Sequence, residues 1–279
     1  ACCLLLSLYV HDEFTYDRHH NRLADLYRSD TQFGGEIVGF DKLGSVSPPI
    51  TMTLKDELPE IEAATRVVGS FSGENLIQYE DKKFYESNAF TADSTLFDVL
   101  TYEFIEGHPK KALTDANTVV ISEALSNKLF GKESALDKSL LINQGGDPVN
   151  YKVTGVYKHN NSFFDANFIT SMMSEGVGEY IRTNPEASNE WAGQNFVQAY
   201  IKLAPNHSQS FVEKKINEVL VKYGSEDMKV LGITKTLFLE PVKDIYLKSA
   251  VDKNQRITYI YIIASIAVFI LLLACINFM

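Results

Sequence analysis

Charged side chains are missing from both ends of this chain. Residues 257–279 contain none and are rich in Ile, Leu, Val, Phe and Ala, and residues 1–10 are uncharged as well. Because a membrane-spanning helix needs about 20 predominantly apolar residues, the C-terminal stretch predicts a transmembrane helix. The alternative is a buried helix of a large soluble core, but buried helices are normally shorter, and a water-soluble helix of this length normally shows a polar face.

The first residues also lack the basic region and the small-residue cleavage site of a signal peptide. Residues 1–10 are too few to cross a bilayer. We therefore expect them to be the tail of a first transmembrane helix, the alternative being a buried apolar strand. Every charged side chain then lies between Asp12 and Arg256, in a region long enough for one or two domains that is tethered to the membrane at both ends.

Cysteine is absent from this middle region, since Cys2, Cys3 and Cys275 lie in the apolar ends. A region without thiols suits an exported domain, but many cytosolic domains also lack cysteine, so the side of the membrane stays open. The region also lacks clustered Lys and Arg, and the net charge of the chain is −10. Both features argue against nucleic-acid binding, which needs cations for the phosphates.

Motifs that bind nucleotides or supply a catalytic serine are incomplete. Residues 131–134 (GKES) break the phosphate-loop order, and residues 176–178 (GVG) lack the third glycine of a dinucleotide fingerprint. Residues 69–73 resemble a nucleophile elbow, but Phe71 stands where the serine belongs. The sequence therefore predicts no cofactor.

Two groups of side chains could still suggest chemistry. His19 and His20 follow Asp17, but adjacent residues on a helix diverge and no spaced third ligand follows, so a solvated face is favoured over a metal site. A hydrolytic set can be imagined from Ser122 and Glu123 with His108 or His159. We favour a helix-capping role for the serine. The sequence thus predicts no catalytic, cofactor-binding or metal-ligating residues, and a protein that is not an enzyme.

Apolar periodicity and turn residues divide the middle region into short elements. Residues 12–28 predict a helix that continues from the membrane, and the glycines at positions 34, 35, 39 and 44 mark a loop. Ser47 and Pro48 are expected to start a helix over 47–58, and Gly224 is expected to stop a helix over 210–223. Strands are expected at 26–32, 65–71, 75–80, 84–91, 118–121, 139–143, 149–158, 196–203 and 235–240, with a further helix at 123–130.

The order strand, helix, strand occurs twice, at residues 26–71 and again at 196–240. Two such units combine into a ferredoxin-like layer of helices on a sheet. We therefore predict an α+β fold, in which a ferredoxin-like β-α-β repeat lobe carries an inserted, mostly β lobe and is flanked by transmembrane helices. The predicted parts are residues 1–10 (tail of transmembrane helix 1), 11–80 (first half of the ferredoxin-like lobe), 81–165 (inserted β-rich lobe), 166–250 (second half of the ferredoxin-like lobe) and 251–279 (transmembrane helix 2).

Several stretches form a recognisable series: SLYVHDEFTYDRHHNRLADLYR, SPPITMTLKDELPEIE, TADSTLFDVLTYEFIEGHPKKAL, TVVISEALSNKLFGKESALDKSL, YKVTGVYK and the final LLLACINFM. Together they resemble the MacB/FtsX-type permeases of ABC transporters, in the variety seen in Bacteroidetes-like bacteria. The resemblance implies that the ferredoxin-like repeat lobe is a porter-type lobe, with the inserted lobe as a second lobe. In that family a large extracytoplasmic domain lies between the first two transmembrane helices. The chain departs from the family pattern at Asp137, where Gly is usual, and at residues 159–162, where Asp-x-Pro is usual.

The resemblance implies a bacterial inner-membrane protein with its soluble domain in the periplasm. It also implies that a separate ABC ATPase subunit hydrolyses ATP and that this domain couples the hydrolysis mechanically to transport. The transported molecule would be a lipoprotein, a peptide or an amphipathic drug that is exported or extracted. The implied partners are that ATPase, a second permease subunit in a homo- or heterodimer, membrane lipid, and a periplasmic or outer-membrane protein. The alternative is a membrane-anchored sensor or scaffold without transport. Because residues 14–16 and 253–259 contain no Gly or Pro, we expect the helices to run continuously out of the membrane.

Overall fold

The computed structural model describes residues 2–34, 41–252 and 255–278. Its helices are α1 (Cys2–Glu13), α2 (Pro48–Glu57), α3 (Leu96–Val99), α4 (Glu123–Phe130), α5 (Val177–Thr183), α6 (Pro185–Ser188), α7 (Gln209–Leu231), α8 (Val242–Lys248) and α9 (Arg256–Phe278). Its strands are β1 (Leu26–Gly34), β2 (Lys42–Leu43), β3 (Ile61–Gly69), β4 (Asn75–Tyr79), β5 (Lys82–Glu86), β6 (Ala89–Ala92), β7 (Phe104–Gly107), β8 (Thr118–Ser122), β9 (Ser139–Asn143), β10 (Val149–Tyr157), β11 (Phe168–Ser171), β12 (Gln198–Leu203) and β13 (Thr234–Pro241).

Four strands and two helices form the predicted ferredoxin-like lobe, which we call the first lobe. Its strands lie in the order β13-β1-β12-β3, each antiparallel to its neighbour. The helices α2 and α7 each connect two strands that run in the same direction with another strand between them. Each helix buries one apolar stripe against the sheet. The stripe of α2 contains Ile50 and Leu54, and the stripe of α7 contains Val212, Ile216, Val219 and Leu220. The predicted β-α-β repeat is confirmed.

The chain between β3 and β12 forms the inserted lobe, which is mostly β as predicted. Its strands extend the sheet from β3 in the order β6-β11-β8-β10-β9-β4-β5, and β7 lies beside β10. The helix α4 packs on this part of the sheet through Leu125 and Leu129. A buried cluster that contains Val67 and Tyr200 of the first lobe also contains Tyr157 of the inserted lobe, so the two lobes share a core. The boundaries at residues 80 and 165 stay a prediction.

Local sequence signals account for most of the turns and caps. The Ser122 hydroxyl accepts a hydrogen bond from the Leu125 amide, and Gly131, with a φ of 67°, follows the last residue of α4. Four of the predicted strands form two antiparallel hairpins, β4 with β5 and β9 with β10. Ser47 precedes α2 as predicted, although its hydroxyl does not cap the helix and instead accepts from the Lys235 amine at 2.9 Å.

The helix predicted over residues 12–28 is wrong. The helix α1 ends at Glu13, turns follow, and a short 3-10 helix leads into β1 at Leu26. Asp17 and Arg22 adopt left-handed backbone angles, with φ of 62° and 55°, which an α-helix cannot contain. The continuous helix expected at residues 14–16 is therefore wrong as well, and residues 253 and 254 lie outside the described part.

Two further boundaries differ from the prediction. Residues 84–91 belong to two strands, β5 and β6, separated by Asn88 with a φ of 53°. Gly224 does not stop α7, which continues to Leu231 and is followed by Gly232 in the left-handed conformation. Gly224 instead permits close packing, because a Cβ at this position would lie 3.0 Å from the Cβ of Trp191. Of the predicted glycine loop, Gly35 and Gly39 lie outside the described residues.

The apolar ends are both helical. In the part of the chain that the structure describes, one helix is long and apolar enough to cross a membrane, at Arg256–Asn277 with a mean hydropathy of 2.8. Only 6 % of that window is buried in the protein, so a buried core helix is not the explanation. The segment 2–10 is helical and not a strand, and its place in a membrane stays a prediction. Val10 and Phe14 pack against Ile257 and Ile260, so α1 and α9 lie side by side.

Candidate functional site

The chain leaves the apolar helices at one place, which we call the exit junction. It consists of Glu13, Tyr16 and Asp17 after α1, and of Tyr246 and Arg256 before and at the start of α9. These residues come from opposite ends of the chain. Among the described residues, those that follow α1 and those that open α9 meet at this place.

An aromatic pair holds the two exits together. The rings of Tyr16 and Tyr246 are stacked with their centroids 3.6 Å apart and their planes within 2°. The Arg256 guanidinium lies 4.6 Å from the centroid of the Tyr246 ring, a cation–π distance. The Tyr246 hydroxyl donates to the Glu13 carboxylate at 2.9 Å. Because burial and the hydrogen bonds with Tyr16 and Glu13 raise the pKa of Tyr246, its hydroxyl remains a donor at physiological pH.

Asp17 fastens the first exit to the inserted lobe. Its side chain is buried and accepts hydrogen bonds from the Ser162 hydroxyl at 2.6 Å and from the Phe163 amide at 3.2 Å. Its own amide donates to the Asn161 carbonyl at 2.9 Å. The segment 161–163 follows β10, so the turn after α1 is tied directly to the inserted lobe.

Glu240 fastens the second exit to the sheet of the first lobe. It lies on β13 and accepts from the Arg28 guanidinium at 2.7 Å, from the Ser249 hydroxyl at 3.0 Å and from the Ala250 amide. Arg28 also donates to both oxygens of Asp30, at 2.6 and 3.0 Å. These side chains are buried, and a buried charge is stable only when it is paired and hydrogen-bonded. Ser249 and Ala250, which follow α8, are therefore fixed to β1 and β13.

The carboxylates of Asp30 and Glu240 share the Arg28 guanidinium, and this arrangement affects the protonation of Asp30. Burial raises the pKa of Asp30 to about 7, against the lowering effect of Arg28, and the neighbouring Glu240 adds to the rise. A proton on Asp30 removes one negative charge from a cluster with two carboxylates and one cation. Asp30 therefore titrates close to neutral pH.

The exit junction borders a cleft of about 780 Å³ between the sheet and the start of α9. Tyr16, Arg28, Phe163, Tyr246 and Arg256 all line it. The helix α8, which lies beside the cleft, is packed on the shared core through Val242 and Ile245. The site thus combines the anchored turn after α1 and the Tyr16–Tyr246 stack with an open cleft beside them.

The side chains that the sequence suggested for chemistry do not assemble. The hydroxyl of Ser122 caps α4, the His108 ring accepts from the Lys110 amide, and His159 pairs with Asp165 at 3.0 Å. Within the described ranges, none of Ser122, Glu123, His108 and His159 hydrogen-bonds to another of the set. Phe71, in the region resembling a nucleophile elbow, is 76 % exposed. That the protein is not an enzyme stays a prediction.

The solvated face predicted for the histidines is wrong for His20. Its ring is buried, its Nδ1 accepts from the Thr101 amide at 3.1 Å, and its Nε2 lies 3.7 Å from an Asp17 oxygen. His19 is half-buried, and burial followed by the proximity of His20 lowers its pKa to about 4. Among the residues with described positions, no three His, Cys, Asp or Glu side chains are grouped closely enough to hold a metal ion.

Comparisons with known proteins agree with this architecture. A family model described as the MacB-like periplasmic core domain matches residues 1–219. The chain belongs to this family. A comparison with curated proteins gives no match.

Solved structures show the same fold. A domain of a protein described as a permease from Porphyromonas gingivalis has a TM-score of 0.64 at 22% identity, covering 86% of this chain and 99% of its own. The periplasmic region of MacB from Actinobacillus actinomycetemcomitans has a TM-score of 0.52 at 16% identity, covering 78% of this chain and 90% of its own. The extracellular domain of YknZ, a noncanonic ABC-type transporter from Gram-positive bacteria, has a TM-score of 0.51 at 14% identity, covering 77% of this chain and 98% of its own.

These findings confirm the resemblance seen in the sequence. The chain contains the MacB-like periplasmic domain of ABC-transporter permease-type proteins, and the Porphyromonas gingivalis neighbour fits the Bacteroidetes-like variety. In MacB-like permeases this domain lies on the periplasmic side of the inner membrane.

Proposed function

We propose that this domain transmits movement between the membrane helices and a periplasmic cargo or partner. ATP hydrolysis by a separate ABC ATPase would displace α1 and α9, and the exit junction would pass that displacement to the two lobes. The observation that carries the proposal is the stacked Tyr16–Tyr246 pair, together with the anchors at Asp17 and Glu240. Rigid bodies on stiff connections are suited to hinge or shear movement.

The partners and the substrate belong to the same proposal. Members of the MacB/FtsX-like family work with an ABC ATPase and dimerise. For this chain we propose a separate ATPase, a second permease subunit, surrounding lipid and a periplasmic or outer-membrane protein. The cargo would be a lipoprotein, a peptide or an amphipathic drug, and the soluble domain would lie in the periplasm. We assign the domain no catalytic, cofactor-binding or metal-ligating residue.

The experiment replaces both Tyr16 and Tyr246 with leucine in the full-length permease. Leucine keeps apolar volume at the junction but removes the ring stack, the contact with Arg256 and the hydrogen bond to Glu13. Export and ATP hydrolysis are measured in parallel in proteoliposomes that contain the permease and its ATPase. We expect hydrolysis to continue while export falls by about tenfold, which corresponds to about 1.4 kcal/mol of lost coupling.

The matched control is Tyr85→Leu, since Tyr85 is 67 % exposed on β5 and does not belong to the exit junction. We expect this variant to export like the unmodified protein. Unchanged export from the double variant would contradict mechanical transmission and would favour a membrane-anchored sensor or scaffold domain.

A further inference from the structure

A second cavity, of about 680 Å³, lies between the turn after α1 and the helix α8. Phe14, Leu23 and Leu247 supply its apolar lining. Three basic side chains, Arg18, Lys243 and Lys248, also line it. A cavity of this size with apolar walls and a few charged groups is typical of sites for small amphipathic ligands.

The cavity lies at the level where the protein enters the apolar layer. Two of its lining residues, Phe14 and Leu247, pack in the same cluster as Ile257 and Ile260. Both isoleucines are in the first turns of the candidate membrane span that starts at Arg256. A molecule in the cavity would therefore have its polar part at the height of the lipid headgroups.

The lining of the cavity contains the carboxylates of Glu13 and Asp244 beside the cations of Arg18, Lys243 and Lys248, so positive charge is in excess. Arg18 and Lys243 are exposed and make no ion pair with any residue that the structure describes. Lys248 lies 3.9 Å from Asp244, a loose pair, and the Glu13 carboxylate accepts from Tyr246. This contrasts with the whole chain, whose net charge is −10. Basic pockets beside membrane helices are suited to anionic headgroups.

We propose that this cavity binds the headgroup of an anionic phospholipid. Arg18 and Lys243 would contact the phosphate, and Phe14, Leu23 and Leu247 would contact the first methylene groups of the acyl chains. Tyr16 and Tyr246 of the exit junction line the same cavity, so the bound lipid would touch the junction directly. The inference does not depend on transport, because it concerns only where the helices meet the membrane surface.

The test measures lipid binding to the detergent-purified full-length protein by native mass spectrometry during titration with phosphatidylglycerol. The variant carries Arg18→Gln and Lys243→Gln together. Each cation near an anionic surface contributes roughly fivefold to binding, so we expect the affinity for the first lipid to fall by about thirtyfold. The control carries Lys132→Gln and Lys229→Gln, which remove the same charge at exposed positions that do not line the cavity.

Three outcomes would overturn the proposal. Equal loss of binding in the control variant would show a general charge effect, and equal binding of phosphatidylcholine would show that the anionic headgroup is not recognised. Displacement of the lipid by inorganic phosphate at a similar concentration would assign the cavity to the free anion. A Lys243→Arg variant should bind like the unmodified protein, and circular dichroism should show that all variants are folded, since the replaced side chains are exposed.

Discussion

At the scale of single residues, a few buried polar side chains hold the ends of the chain in place. Asp17 joins the turn after α1 to segment 161–163, and Glu240 joins β1 to the residues before α9. Removing one partner of such a hydrogen bond leaves the other partner buried and unsatisfied, which lowers the free energy of unfolding by about 1–3 kcal/mol. These side chains therefore fix geometry at the exit junction.

Asp30 makes the stability of this cluster depend on pH. Its pKa is raised to about 7 in the folded protein, so the folded state binds a proton that the unfolded state releases near pH 4. The stability contributed by the protonated carboxyl is complete below about pH 4 and is lost as the pH rises through about 7. Asp30→Asn, which cannot ionise, removes this dependence.

We therefore compare urea unfolding of the unmodified protein and of Asp30→Asn at about pH 5 and about pH 8. We expect the free energy of unfolding of the unmodified protein, measured relative to that of Asp30→Asn, to be about 1–3 kcal/mol lower at about pH 8 than at about pH 5. The same comparison with Asp115→Asn, at an exposed position, should show no such change. Parallel pH profiles for the unmodified protein and Asp30→Asn would contradict the raised pKa.

At the scale of elements, α7 closes the free edge of β13. The side-chain oxygen of Asn217 accepts a hydrogen bond from the Leu237 backbone amide, and the side-chain nitrogen of Asn217 donates to the Leu237 backbone carbonyl, both at 2.8 Å. Glu213 accepts from the Leu239 amide at 2.8 Å, and Gln209 donates to the Leu239 carbonyl at 2.8 Å. Side chains of one helix thus satisfy the backbone groups that an edge strand would otherwise present to another chain.

Replacing Asn217 with leucine should leave the Leu237 amide and carbonyl without these partners. We expect the free energy of unfolding to fall by about 1–3 kcal/mol and concentration-dependent association to increase. Glu218→Leu adds the same side chain at an exposed position of α7 and serves as the control. Chemical unfolding and light scattering measure the two effects, and identical behaviour of the two variants would show that the edge contact is unimportant.

The elements that the sequence predicts well are those with a local signal. The β-α-β order and the cap at Ser122 follow from periodicity and capping residues within a short window. The exit junction could not be predicted in this way, because Tyr16 and Tyr246 are far apart in the chain and no local pattern pairs them. Gly224 illustrates the same limit: a glycine after an apolar stripe predicts a helix end, but contact with Trp191 gives it a packing role.

At the scale of the whole molecule, the two lobes form one folded unit that is held at two adjacent points. The lobes share a buried core, and α1 and α9 pack against each other at their exits. A displacement of the helices relative to the membrane should therefore move both lobes together. Movement of both lobes with the helices requires that the connection after α1 be stiff.

The most direct measurement inserts about six Gly and Ser residues between Glu13 and Phe14 of the full-length permease, since such linkers behave as random coil. The control places the same insert in the turn between Gly145 and Gly146, away from the exit junction. Export and ATP hydrolysis are followed in parallel after reconstitution with the ATPase. The account predicts that the first insert abolishes export while hydrolysis continues, and that the control insert changes neither; undiminished export with the first insert would contradict it.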